Sequence, residues 1–167
     1  CLVGSEMCIR DSLQAIAKQG HKYNGFNLVV GYPDELYYYS NYKEGIERVP
    51  EGIHGLSNHL FNTPWPKVIR GKEKFANAIE STIVDPQELF DLLYDEQIAP
   101  DEQLPDTGIG LERERALSSM FIKSPDYGTR CSTVLLIDRD NNVQFTERIY
   151  DLNTFDFTQN EFSFAIE

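Results

Sequence analysis

The chain has 167 residues, 41% of them hydrophobic and 25% charged, which is enough apolar side chain for a packed core and rules out an intrinsically disordered segment. Acidic residues outnumber basic ones by 27 to 15, and the net charge of −12 repels nucleic acid and anionic lipid surfaces. No apolar run approaches the ~20 residues of a membrane-spanning helix, so neither nucleic acid as a partner nor a membrane span is expected.

Residues 1–12 show neither a period-2 nor a period-3.6 pattern and read as a non-native tail resembling translated adaptor sequence, ahead of one domain over residues 13–167. The three cysteines, Cys1, Cys8 and Cys131, lack metal-type spacing and fit a reducing, cytoplasmic location. A short helix is expected over residues 13–18, ended by Gly20, followed by a strand over 23–30. Gly31-Tyr32-Pro33-Asp34-Glu35 then turns the chain into a return strand over 36–40, where Tyr37, Tyr38 and Tyr39 suit a half-buried pleated surface. A short strand over 46–49 leads through His54 to Gly55-Leu56-Ser57-Asn58, a polar turn expected at a strand's end.

Trp65, Val68, Ile69, Lys72, Phe75, Ala76 and Ile79 recur at helical spacing, with Thr63 as the expected cap and Pro64 and Pro66 confined to the first turn. Asp85-Pro86-Gln87-Glu88 supplies the cap, N1 proline and N3 acid of a second helix, with Leu89, Leu92 and Leu93 as its buried stripe and an end near Tyr94. Residues 95–110 read as a long surface loop whose acids are solvated, and residues 116–122 as a strand. After a turn over 124–128 comes an apolar strand over 131–137, expected to be central. A polar turn over 138–142, a strand over 143–150 and an alternating segment with Phe155, Phe157, Phe162, Phe164 and Ile166 complete the chain. Hairpins on either side of two helices imply an α+β fold with helices packed on antiparallel sheet.

Two side chains stand out chemically. Asn58 could present its amide to developing negative charge as an oxyanion-hole donor does, and it could equally cap its own turn. Arg130 opens an apolar strand, where a planar guanidinium could orient a carboxylate or a nucleophile, with an ordinary ion pair as the competing reading. The charged stretches 112–115 and 147–148 read as solvated faces, and the three tyrosines as core cover in preference to a stacking platform. His21, His54 and His59 fall into no paired zinc pattern and read as turn or surface residues, so no metal is assigned. Neither a phosphate loop nor a Gly-x-Ser-x-Gly elbow can be assembled.

Tyr23-Asn24-Gly25-Phe26-Asn27-Leu28, Gly55-Leu56-Ser57-Asn58, Thr63-Pro64-Trp65-Pro66-Lys67, Leu104-Pro105-Asp106-Thr107-Gly108, Tyr127-Gly128-Thr129-Arg130 and Phe145-Thr146-Glu147-Arg148 together resemble the NRDE family, also called the transport and Golgi organization family. The resemblance runs from residue 13 to residue 150 and lacks the family's Asn-Arg-Asp-Glu motif and its cysteine after the initiator methionine, which implies a C-terminal fragment. It implies an incomplete αββα sandwich like that of the N-terminal-nucleophile hydrolases, with Asn58 as an oxyanion or substrate-positioning group and Arg130 as a pocket arginine. Two functions follow as expectations from the resemblance, each with a small-molecule ligand or substrate as its partner. One is a carrier for haem or lipid linked to membrane traffic, and the other is a cysteine hydrolase of linear amide bonds whose nucleophile lies outside this chain.

Overall fold

The computed structural model describes residues 5–81, 83–124 and 127–166. Two compact units divide the chain between Thr63 and Pro64. In the first, α1 (Ser5–Ala17) lies on an antiparallel sheet of β1 (Asn27–Tyr32), β2 (Glu35–Ser40) and β3 (Ile46–Arg48), in that order. The hairpin is the expected one, with Val29 opposite Tyr38 and Tyr32 opposite Glu35. Its first strand starts at Asn27 and not at the expected Tyr23, because the preceding four residues are drawn into a separate loop described below.

Alternation along β2 divides the three tyrosines between faces. Tyr37 and Tyr39 join Ile9 and Leu13 in a core where Leu13 is 1% exposed, while Tyr38 stacks on Phe61 across the other face. That arrangement corrects the expectation of a helix confined to residues 13–18. Ile9, Leu13 and Ala17 recur every fourth residue, so one apolar stripe continues back through the segment read as unpatterned.

In the second unit, α2 (Pro66–Ala78) and α3 (Pro86–Leu93) cover one face of a sheet formed by β6 (Cys131–Ile137), β7 (Asn142–Tyr150) and β8 (Phe157–Ala165). The order β6-β7-β8 makes β7 the central strand and corrects the expectation for 131–137. Leu89 and Phe90 of α3 meet Val134, with Phe75, Leu92, Leu93 and Leu136 packed around them. The Asp85 side chain caps α3 by accepting from the Gln87 amide at 2.8 Å, as its sequence implies. Thr63 does not cap α2. Trp65 takes the N-cap position without a side-chain bond to the helix's first turn, and the Thr63 hydroxyl donates to the Leu60 carbonyl at 2.7 Å.

The expected strand over 116–122 is absent. Gly110, at φ 89°, starts a short helix, α4 (Leu111–Ala116), and the residues after it turn inward. The Ser118 hydroxyl donates to the Arg115 carbonyl and accepts from the Ala99 amide, which leaves no ladder to join. A two-residue hairpin of β4 (Lys123–Ser124) and β5 (Tyr127–Gly128) follows, and part of the expected turn there lies outside the described residues.

The face of β6-β7-β8 away from the helices carries Leu135, Ile137, Ile149, Phe162 and Phe164, all exposed. Ile69 and Ile79 of α2 are exposed as well. A dye that fluoresces on open apolar surface, such as anilinonaphthalene sulfonate, is therefore expected to bind the folded chain. The double change Phe162→Glu, Phe164→Glu should remove most of that signal while leaving the helical circular dichroism intact. Unchanged fluorescence would place the apolar surface elsewhere.

Candidate functional site

Residues 55–62 form a closed loop, clamped where Asn62 N–H donates to the Gly55 carbonyl at 2.8 Å and Gly55 N–H donates to Asn62 Oδ1 at 3.0 Å. Asn62 adopts φ 58°, a left-handed conformation that asparagine tolerates better than most residues. Because its oxygen serves Gly55, its amide nitrogen faces His54 Nδ1 at 2.9 Å. On its other side the ring is held by Nε2, which lies 2.8 Å from the Pro50 carbonyl. The imidazole stacks on Phe61, which stacks in turn on Tyr38, so the loop lies flat against the sheet. Asn27 accepts from the Tyr38 hydroxyl at 2.7 Å and donates to the His59 carbonyl at 3.0 Å, fastening the loop's far side.

Asn58 sits at the exposed tip of this loop, in irregular chain well past the end of β3 and not at a strand's end. Its amide is displayed to solvent, with Leu56 exposed two residues before it. The sequence singles out Asn58 and reads His54 as a turn residue, which it is, but assigns no role to Asn62 and Asn27, which build the loop with it. The signal for Asn62 was its place before Thr63-Pro64, since asparagine in a turn readily takes a positive φ.

A second feature of this unit is a groove of about 730 Å³ between the end of α1 and residues 23–26. Ile16 and Gln19 line one side, and Tyr23, Asn24 and Phe26 the other. The Tyr23 and Phe26 rings meet edge to face with centroids 6.3 Å apart. Asn41 builds the wall. Its amide nitrogen donates to the carbonyls of Gly20, Tyr23 and Asn24 at 3.0–3.3 Å, and its oxygen accepts from Phe26 N–H at 2.7 Å. A Cβ at Gly25 would fall 1.8 Å from the Tyr42 hydroxyl, so a larger residue there would push the exposed Tyr42 ring aside. The groove borders the sequence Lys18-Gln19-Gly20-His21-Lys22, three basic side chains, all exposed, in a strongly acidic chain.

Arg130 belongs to the second unit, and its side chain is exposed just before β6, where its carbonyl accepts from Tyr150 N–H at 2.9 Å. The buried charges of this unit lie elsewhere, in stretches read as solvated. Glu114 is 7% exposed and accepts from both the amide and the hydroxyl of Thr107, at 2.8 and 2.6 Å. Lys67 donates to the Leu117 carbonyl at 2.8 Å, and burial pushes its pKa below the ordinary lysine value, with Glu114 pulling the other way. Arg148 is enclosed in β7 between the rings of Phe90 and Phe157. An open hollow of about 930 Å³ at the β6–β7 turn is lined by residues of both sheet faces, Leu136 and Ile137 among them, and so wraps a sheet end without enclosing a ligand.

Among the described residues no helix is long and apolar enough to cross a membrane, and no three His, Cys, Asp or Glu side chains gather as a metal site. A family model described as Transport and Golgi organisation 2 matches residues 2–152. The chain is 38% identical over 159 residues to a Transport and Golgi organization protein 2 homolog of Bos taurus, covering 86% of this chain and 57% of that protein. It is 35% identical over 172 residues to the Homo sapiens homolog, with coverages of 87% and 61%, and 28% identical over 151 residues to the Drosophila melanogaster protein, with 80% and 52%. The chain thus spans less than two thirds of the length of these relatives. With the family model covering most of its length, the chain belongs to the Transport and Golgi organisation 2 family.

Proposed function

We propose that this chain is part of a carrier for a flat, largely apolar ligand, haem or a lipid, that serves membrane traffic. The observation supporting the reading most directly is the aromatic groove beside a basic stretch. The exposed Tyr23 ring can offer a face to a planar ligand, with the Phe26 ring set perpendicular to it as an apolar edge, and a groove of about 730 Å³ is in the range that small ligands use. With haem as cargo, the exposed His21 imidazole, in the basic stretch beside the groove and not in its lining, would be available to the iron, and the Lys18 and Lys22 ammonium groups to the carboxylates. The relatives' names place those proteins in transport and Golgi organization, which fits a carrier.

The cysteine-hydrolase alternative has less support. Oxyanion donors act in a water-excluded setting, whereas Asn58 and Arg130 are both exposed.

Hemin titrated into the chain is expected to give a saturable Soret shift. His21→Ala should weaken binding about tenfold, the equivalent of about 1.4 kcal/mol, and move the Soret maximum. An identical spectrum and affinity for His21→Ala and for Tyr23→Ala would overturn the assignment of this groove.

A further inference from the structure

In the second unit the ammonium of Lys123 is surrounded by aromatic faces. Its Nζ lies 4.7 Å from the ring centre of Tyr94, 4.9 Å from Phe155 and 5.6 Å from Phe121, and it pairs with Glu96 at 2.5 Å. Three rings within ~6 Å of one cation, with a carboxylate beside it, make a cation–π cluster that stays partly open to solvent. The walls are braced independently of the lysine. Tyr94 and Phe121 are 4.2 Å apart, Phe121 meets Phe155 at 6.0 Å and Tyr150 edge-on at 4.7 Å, and Phe121 is fully buried.

Phe155 takes part at a cost. It adopts φ 59°, a left-handed conformation that bulky residues rarely accept, and it is held there by its N–H donating to the Asp151 carbonyl at 2.8 Å. Asp151 N–H donates to the Asp156 carbonyl at 2.9 Å, closing the turn that aims the ring inward. Strain of this kind persists where the surroundings force it, and here it completes the cation–π cluster.

We propose that Tyr94, Phe121, Phe155 and Glu96 form a binding site for a quaternary ammonium group of the choline type, which Lys123 occupies as a tethered competitor. A primary ammonium brings three N–H donors, for which this cluster offers the Glu96 carboxylate. A quaternary ammonium has no donors to satisfy and is less strongly hydrated, so ring faces and a single carboxylate suit it better. The competitor stands on a two-residue hairpin strand with its side chain partly exposed. Being tethered, it acts at high effective concentration and masks the site toward weak ligands. The site is independent of the groove in the first unit, and its fate does not bear on the carrier reading.

The test is a titration of the full chain with choline, with tetramethylammonium and with the uncharged choline isostere 3,3-dimethylbutanol. Lys123→Ala is expected to bind both cations at least tenfold more tightly than the unchanged chain and the isostere at least tenfold more weakly than choline. Adding Tyr94→Leu to Lys123→Ala should abolish the gain. In the unchanged chain, saturating choline should displace the Lys123 side-chain resonances toward solvent-exposed values, which keeps the proposal testable if the Ala variant does not fold. Absence of cation binding by Lys123→Ala, absence of displacement in the unchanged chain, or equal binding of the isostere would each overturn it.

Discussion

Replacing Asp95 with alanine is expected to destabilise the second unit by about 3 kcal/mol, because it strands groups that the fold has taken out of water. Asp95 is 8% exposed and closes the end of α3. One carboxylate oxygen accepts from Lys74 Nζ at 2.8 Å and lies 3.5 Å from Arg70 Nε, and the other accepts from the Gln97 amide at 2.8 Å. Its backbone carbonyl accepts from Met120 and Phe121 N–H at 3.1 and 2.9 Å, so the residue holds three chain segments together. Lys74 is half exposed and can turn its ammonium to water. Arg70 cannot do so as easily, since its Nε is buried and has no hydrogen-bond partner, and its side chain already donates to the Gln97 carbonyl at 2.7 Å. Asp95→Asn should cost less than Asp95→Ala, because an amide oxygen still serves Gln97. Urea midpoints at constant m-value measure both, and an Ala variant within about 0.5 kcal/mol of the unchanged chain would refute the ordering.

The same residue sets a pH dependence. Burial alone would raise the Asp95 pKa, yet the hydrogen bonds from Lys74 and Gln97 and the charges of Lys74 and Arg70 together hold it below the usual carboxylate range. A carboxyl whose folded-state pKa is depressed contributes stability that is present above its unfolded pKa and is lost as pH falls through the folded value. The stability gap between the unchanged chain and Asp95→Asn is therefore expected to be full near neutral pH. It should close on acidification below the ordinary carboxylate range.

Elements whose signals are local were legible in the sequence. Asp85-Pro86 marked α3 because a cap and an N1 proline act within one turn, and the β1–β2 hairpin followed from its turn residues. Asp95 was misread because an acid in a loop rich in proline and glycine has the local context of a solvated one. Its burial is decided by Arg70 and Lys74, more than twenty positions away in the chain. The run from Ala116 to Ile122 was apolar enough for a strand. Phe121 spends that apolarity on Tyr94 and Tyr150, and Ser118 ties the chain into a turn. At the candidate site, Asn58 was legible as a displayed amide. The framework behind it was not, because it depends on a stack of Tyr38, Phe61 and His54 brought together by the fold.

Arg148 had a signal that went unused, and it carries the second large effect. It shares a strand face with Thr146 and Tyr150, both buried, so period-2 alternation places it on the helix side of the sheet. The residue is 9% exposed, with its guanidinium 3.9 Å from the ring centre of Phe90 and 4.5 Å from that of Phe157. Its Nε donates to Gln159 Oε1 at 2.7 Å and Nη2 to Gln87 Oε1 at 2.6 Å. Those amides donate onward to Glu161 at 2.5 Å and to Asp91 at 2.6 Å, so each connects the buried cation to a carboxylate at the surface. Arg148→Ala is expected to cost about 3 kcal/mol, from the gap left between two rings and the loss of two charge-assisted hydrogen bonds. Arg148→Met refills the gap and should recover about half of that, while Arg148→Lys keeps the charge but not the fork that reaches both glutamines. Equal loss in the Ala and Met variants would mean that the charge relay, and not the ring sandwich, carries the stability. The loss should also have a direction. Phe157 and Gln159 belong to β8, an edge strand whose residues are exposed, and Arg148 ties that strand to Gln87 of α3. Amide exchange in β8 should therefore quicken in Arg148→Ala more than in β6, which keeps its own packing of Val134 against Leu89 and Phe90.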